Sequence, residues 1–91
     1  MTGRPDPAAT AGHGADETIL DTSGQKCPIP VLLARRALKP VPPGGVLRVI
    51  ATDPGARADF RSFCETTGDE LLSVAEEGER LIFRIRKAPA V

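Results

Sequence analysis

Residues 25–40 read QKCPIPVLLARRALKP, and this stretch decides how the chain folds. Apolar side chains recur in it at spacings of three and four, which predicts a helix over residues 28–39 that Pro40 ends. Cys27 is the predicted cap, Pro28 takes the first helical position, and Pro30 lies in the first turn, where its missing N–H costs nothing. The predicted buried face holds Pro30, Leu33, Ala34, Ala37 and Leu38.

Strands and a second helix surround this helix in the sequence. Helical connections favour parallel pairing of the strands they join, and the final hairpin around Gly78 must be antiparallel. The order β-α-β-α-β-β therefore predicts an α/β two-layer sandwich, in which a mixed four-stranded sheet carries both helices on one face. Its predicted elements are strands over 18–21, 46–51, 70–76 and 80–87, and helices over 28–39 and 54–67.

The chain is long enough for one domain and too short for two. Residues 1–17 are rich in glycine, proline and alanine and leave little to bury, which predicts a disordered N-terminal tail. The domain is predicted over residues 18–88, with a flexible C-terminus at 89–91.

Composition argues against several classes of function. Lys+Arg and Asp+Glu both number 12, and three Phe are the only aromatic residues, so neither a basic nucleic-acid surface nor a base-stacking platform is expected. No apolar run is long enough for a bilayer and no secretory signal is evident, so we expect a cytoplasmic protein without a membrane partner. With two cysteines and the single histidine His13 in the tail, we expect no metal site.

Cys27 is the strongest candidate for chemistry. It precedes a predicted helix N-terminus and follows Lys26, and both features favour a thiolate, so a lowered pKa is expected. Pro28 and Pro30 would shape and stiffen its surroundings. A cysteine protease would need a histidine base, and a thioredoxin-like motif would need a second cysteine two positions on, so neither applies. The alternative is that Cys27 is only a small residue at a helix start.

Other polar residues are given modest roles by the sequence alone. Asp53 is expected to cap the second helix, Asp59 to be a solvated charge, and Cys64 to be a buried core residue rather than a second carrier thiol. Arg35 and Arg36 follow Cys27 along the first helix and form either a solvated basic face or a docking patch for an acidic partner. A weaker RNA-binding hypothesis falls on three arginines expected on the open sheet face: Arg48, Arg84 and Arg86.

The pattern as a whole resembles the TusA/SirA family of sulfur-carrier proteins. The resemblance rests on the C-P-x-P motif at 27–30, on Leu20-Asp21 and Gly24 before it, and on the pattern DP at 53–54, Asp59, FC at 63–64 and GDELL at 68–72. It covers about residues 18–88. It implies a two-layer α/β sandwich whose motif cysteine, here Cys27, carries a persulfide.

The resemblance also implies protein partners. A cysteine desulfurase or rhodanese-like protein would donate the sulfur to Cys27. The acceptor would belong to tRNA thiolation, molybdenum-cofactor or sulfur-oxidation pathways, and no separate cofactor would be needed. We expect a monomeric sulfurtransferase that acts as a carrier rather than as a stand-alone enzyme. Two alternatives stay open: a non-catalytic binding or regulatory module, and a redox sensor that forms a Cys27–Cys64 disulfide.

Overall fold

The structure is a computed structural model that describes residues 17–89. These residues contain four strands and two helices. The predicted order β-α-β-α-β-β is confirmed. Within residues 17–89, no helix has the length and apolar character that crossing a membrane requires. The elements are β1 Glu17–Thr22, α1 Ile29–Leu38, β2 Val46–Ala51, α2 Ala56–Thr67, β3 Glu70–Glu77 and β4 Arg80–Arg86.

The sheet is mixed, as predicted, with strand order β1-β2-β4-β3. β1 and β2 pair in parallel, whereas β4 is antiparallel to both of its neighbours. The expectation that β2 and β3 would also pair is wrong, because β4 lies between them. β4 alternates fully buried and outward-facing residues, whereas β3 has no buried residue. The strand with more apolar surface to cover therefore takes the central position, and β3 forms an edge.

One apolar core joins both helices to the same face of the sheet, which confirms the predicted sandwich. Phe60 of α2 and Phe83 of β4 are fully buried, with ring centroids 4.6 Å apart. Ala34 and Leu38 pack from α1 into the same cluster. Such aliphatic and aromatic burial is the main favourable contribution to folding. Both helices are thus fixed firmly against one sheet.

The opposite sheet face combines apolar side chains, such as the exposed Ile19, with charged ones, several of which form ion pairs. Glu17 accepts from Arg84 at 2.7 Å and lies 3.2 Å from Arg48. The hydrogen bond from Arg84 is the main reason that the pKa of Glu17 is lowered. Arg86 pairs with Glu70 across the sheet edge. The three arginines of the RNA-binding hypothesis are therefore partly neutralised by neighbouring carboxylates.

The helix starts differ from the predicted ones by one or two residues. Pro28 has φ −99° and ψ 19°, so it precedes α1 as its N-cap, and the Cys27–Pro28 peptide is cis. In α2 the N-cap is Gly55, and no side chain caps the helix. Asp53 therefore does not have the predicted capping role, because its carboxylate is engaged elsewhere.

The chain ends lie mostly outside the described residues. β1 begins at Glu17, one residue within the predicted tail of 1–17, and the rest of that tail is outside the described part. The predicted C-terminal segment 89–91 is described only at its first residue. The flexibility of both ends stays a prediction.

Candidate functional site

Two loops meet at one edge of the sheet because β1 and β2 run in parallel. Each strand is followed by a loop and then a helix, so the loops over 23–28 and 52–55 lie side by side. The Thr22 hydroxyl donates to the Ile50 carbonyl at 2.7 Å, and the Gly24 N–H donates to the Thr52 hydroxyl at 2.8 Å. The first bond ties the end of β1 to β2, and the second joins the two loops directly.

The loop that carries Cys27 is also braced from within. The backbone N–H of Ser23 donates to an Asp21 carboxylate oxygen at 2.9 Å, and the Ser23 hydroxyl donates to the same oxygen at 2.6 Å. Gln25 N–H closes a turn onto the Thr22 carbonyl at 3.0 Å. Gly24 at the turn has φ +82°, a backbone region that glycine enters without steric cost. Local hydrogen bonds therefore brace the loop.

Cys27 is exposed and is held between two carboxylates of the second loop–helix unit. Its thiol hydrogen-bonds to an Asp59 carboxylate oxygen, and its backbone N–H donates to Asp53 at 3.3 Å. Gly55 lies beside this contact. A Cβ on Gly55 would lie 3.0 Å from the Asp53 carboxylate and 3.6 Å from the Cβ of Cys27.

The acidic surroundings raise the pKa of the Cys27 thiol. The largest cause is the hydrogen bond to Asp59, followed by partial desolvation and by the negative charges of Asp59 and Asp53. The predicted lowering of this pKa is therefore wrong for the free protein. Lys26 makes no ion pair with any residue of the described part and does not outweigh the two carboxylates.

Asp53 and Asp59 are the residues that sequence reasoning missed at this site. They lie 26 and 32 positions from Cys27, so no local pattern links them to it. One usable signal was present. If β1 and β2 pair in parallel, the starts of both following helices lie at the same sheet edge, and residues in the first turn of α2 come near Cys27.

The remaining predicted site residues differ in their exposure and in whether they line the groove between the helices. Pro30 is buried in the first turn of α1, whereas Lys26 and Pro28, the chain neighbours of Cys27, are exposed. Arg35 lies on the groove between the two helices, and Arg36 is exposed but does not line it. The groove has a volume of about 350 Å³ and is lined by Pro28, Val31, Arg35, Asp59, Ser62, Phe63, Thr66 and Thr67.

Cys64 is buried in the core, as predicted, with 6% of its surface exposed. Burial, with a smaller contribution from Asp69, raises the pKa of its thiol to about 11. Both cysteines are free thiols. Among residues 17–89, no three His, Cys, Asp or Glu side chains are grouped so that they could hold a metal ion.

Comparison with known proteins identifies relatives over nearly all of the described domain. The family profile described as Sulfurtransferase TusA matches residues 18–87. The sulfur carrier protein TusA of Allochromatium vinosum is 48% identical over 69 residues, which is 76% of this chain and 91% of that protein. The sulfur carrier protein TusA of Pseudomonas aeruginosa is 43% identical over 75 residues, or 82% of this chain and 94% of its relative.

A solved structure agrees with the fold. The crystal structure of a SirA-like protein from Desulfitobacterium hafniense has a TM-score of 0.69 and 25% sequence identity to this chain. The similarity covers 78% of this chain and 97% of that protein. The sandwich described above is therefore shared with a solved relative over nearly its full length.

Proposed function

This chain belongs to the TusA family of sulfur carrier proteins, and we propose that it carries sulfur as a persulfide on Cys27. The exposure of Cys27, in contrast with the burial of Cys64, is the observation that supports this choice. A sulfur carrier exchanges its cargo with other proteins, so the carrying atom must reach a partner's active site. Cys27 has this access on a braced loop at the sheet edge.

The loading step needs no oxidant and no metal. The Cys27 sulfur attacks the outer sulfur of a donor persulfide, a new S–S bond forms, and the donor's own S–S bond breaks. The donor leaves as a thiol, taking the proton that Cys27 gives up. Delivery is the same exchange in reverse, with an acceptor thiol attacking the outer sulfur. We therefore propose no cofactor, since the sulfur itself is the cargo.

The surroundings of Cys27 suit contact with a protein. Ile29 and Leu32 are 40% and 51% exposed on the outward side of α1, so apolar surface lies next to the thiol. Exposed apolar residues beside a reactive group are typical of partner-binding surfaces. In this proposal Pro28 and Pro30 shape the site, Lys26 offers a positive charge, and Arg35 and Arg36 contact the partner.

The partners follow from the chemistry of the cargo. We propose a donor of the cysteine desulfurase or rhodanese-like class, and an acceptor in tRNA thiolation, molybdenum-cofactor or sulfur-oxidation pathways. We place the protein in the cytoplasm, where thiols stay reduced, and expect it to act as a monomer. The protein then acts as a sulfur-carrying sulfurtransferase, which transfers one sulfur atom each time it meets a partner.

Loading can be tested by intact-protein mass spectrometry after incubation with a cysteine desulfurase and cysteine. The wild-type chain and Cys64→Ala should each gain one sulfur atom, which a reductant removes, because exchange requires an accessible thiol. Cys27→Ser should gain none. If Cys27→Ser still loads, or if Cys64→Ala fails to load while remaining folded, Cys27 is not the carrying residue.

The same experiment separates the carrier from a binding or regulatory module. In such a module, Cys27→Ser would bind its partner and function as the wild type does, and no sulfur would be found on the wild-type chain. A wild-type chain that never gains sulfur under these conditions contradicts the proposal.

A further inference from the structure

Asp59 contacts the Cys27 thiol directly. Asp59 lies in the first turn of α2, half-buried, and its carboxylate accepts the hydrogen bond from the thiol. We infer that Asp59 holds the proton on Cys27 and so keeps the unloaded carrier slow to react until a partner displaces this contact. The inference rests on the proposed role of Cys27.

The charges around Cys27 are mostly negative. Asp59 faces the thiol from α2, Asp53 bonds the backbone N–H from the loop before α2, and Lys26 is its exposed neighbour in the chain. On α1, Arg35 lies on the same groove as Asp59 but makes no ion pair within the described residues. The hydrogen bond from the thiol to Asp59 and the negative charges of both carboxylates therefore oppose a negative charge on the sulfur.

A role for Asp59 as a general base fits less well. An efficient base has a proton affinity close to that of the group it deprotonates, and carboxylates as a class are far weaker bases than thiolates. A carboxylate beside a thiol therefore stabilises the protonated thiol more than it speeds removal of the proton. The two roles make opposite predictions for a variant that keeps the shape of Asp59 and removes its charge.

Loading reduces the repulsion between the Asp59 carboxylate and the charge on the sulfur. In the persulfide, the inner sulfur of Cys27 is bonded to sulfur and carries no proton, and the negative charge lies on the outer atom, about 2 Å further away. Asp59 therefore penalises the free thiolate more than the loaded persulfide. When the cargo leaves, Cys27 departs as a thiolate unless it regains a proton, so the same carboxylate also slows delivery.

A physiological partner must overcome this contact. A partner that brings a cationic side chain against Asp59, or that moves the Cys27 loop away from α2, would release the proton during the encounter. Small electrophiles cannot do either. The hydrogen bond between Asp59 and Cys27 would therefore confine sulfur exchange to the complex with a partner. It would also protect the free carrier from oxidation or alkylation.

The test uses the free, reduced chain and iodoacetamide as the electrophile, with alkylation of Cys27 followed by mass spectrometry from neutral to high pH. Asp59→Asn should react about tenfold faster at neutral pH, because more of the sulfur is thiolate. At high pH, where the Cys27 thiol is fully ionised in both proteins, their alkylation rates should converge. Glu65→Gln removes a charge from an exposed position of the same helix and should behave as the wild type.

The convergence at high pH separates proton holding from a disturbed structure. A misfolded variant would show altered rates at every pH, and its thermal unfolding would reveal it independently. An Asp59→Asn protein that is folded and reacts at the wild-type rate, or more slowly, overturns the inference. Because the assay needs no sulfur donor, this result would leave the persulfide proposal standing, and a failure of loading would not affect this test.

Discussion

The surroundings of the two cysteines differ in kind although both raise a thiol pKa. Cys27 is exposed, and its pKa is raised first by a hydrogen bond to one carboxylate. Cys64 is buried on α2, and the pKa of its thiol rises to about 11 first because it is removed from water. A contact can be broken by a partner or by a single substitution, whereas burial ends only when the core opens.

Helix α2 contacts the Cys27 thiol with one side and buries Cys64 with another. Asp59 and Phe60 are adjacent near the start of α2, yet Asp59 contacts the exposed thiol and Phe60 packs against Phe83 in the core. Cys64 lies one turn beyond Phe60 on the buried side. Stable packing of α2 therefore protects Cys64 and also holds Asp59 at the position from which it contacts Cys27.

The largest expected effect comes from opening the core. Phe60→Ala removes a fully buried ring that packs against Phe83 and Phe63, and it should lower the free energy of unfolding by about 3–5 kcal/mol. Urea denaturation measures this loss. Alkylation of Cys64 in the absence of urea should rise by about two to four orders of magnitude, because the open state is populated about tenfold more for every 1.4 kcal/mol lost.

Phe63→Ala is the matched control for this comparison. Phe63 is on the same helix and only half-buried, so its removal should cost less stability and expose Cys64 less. If Phe60→Ala leaves Cys64 as unreactive as in the wild type while lowering the unfolding free energy, burial in this core is not what protects Cys64.

Sequence patterns were enough for the elements and for the buried sides of both helices. Apolar spacing of three and four indicated Ala34 and Leu38 on α1, and the alternation in 81–85 indicated the buried face of β4. These features depend on neighbours in the chain, because periodicity follows from local backbone geometry.

The strand order and the acidic site could not be found in this way. β4 lies between β2 and β3 because it buries more apolar surface, which is a competition between distant segments. Asp53 and Asp59 meet Cys27 only because β1 and β2 pair in parallel at one edge. The helix-start argument considered Cys27 with its chain neighbours alone, so the sign of its pKa shift was wrong.

A smaller effect is expected from the pH dependence of stability. A thiol whose pKa is higher in the folded state than its usual value of about 8.5 stabilises the fold at lower pH, and this contribution is lost as pH rises toward the folded pKa. For Cys64 that loss should fall between pH of about 8.5 and about 11. Urea denaturation across this range should show a steeper decline for the wild type than for Cys64→Ala. Equal slopes would mean that Cys64 is not buried as described.

The most direct test of the central claim asks which sulfur of the unmodified chain holds the cargo. The wild-type protein is loaded by a cysteine desulfurase with cysteine, its thiols and persulfides are capped with iodoacetamide, and its peptides are analysed by mass spectrometry. The account predicts the additional sulfur on the peptide that contains Cys27, with Cys64 unmodified until the protein is denatured. An additional sulfur on the Cys64 peptide, or on neither peptide, would contradict it.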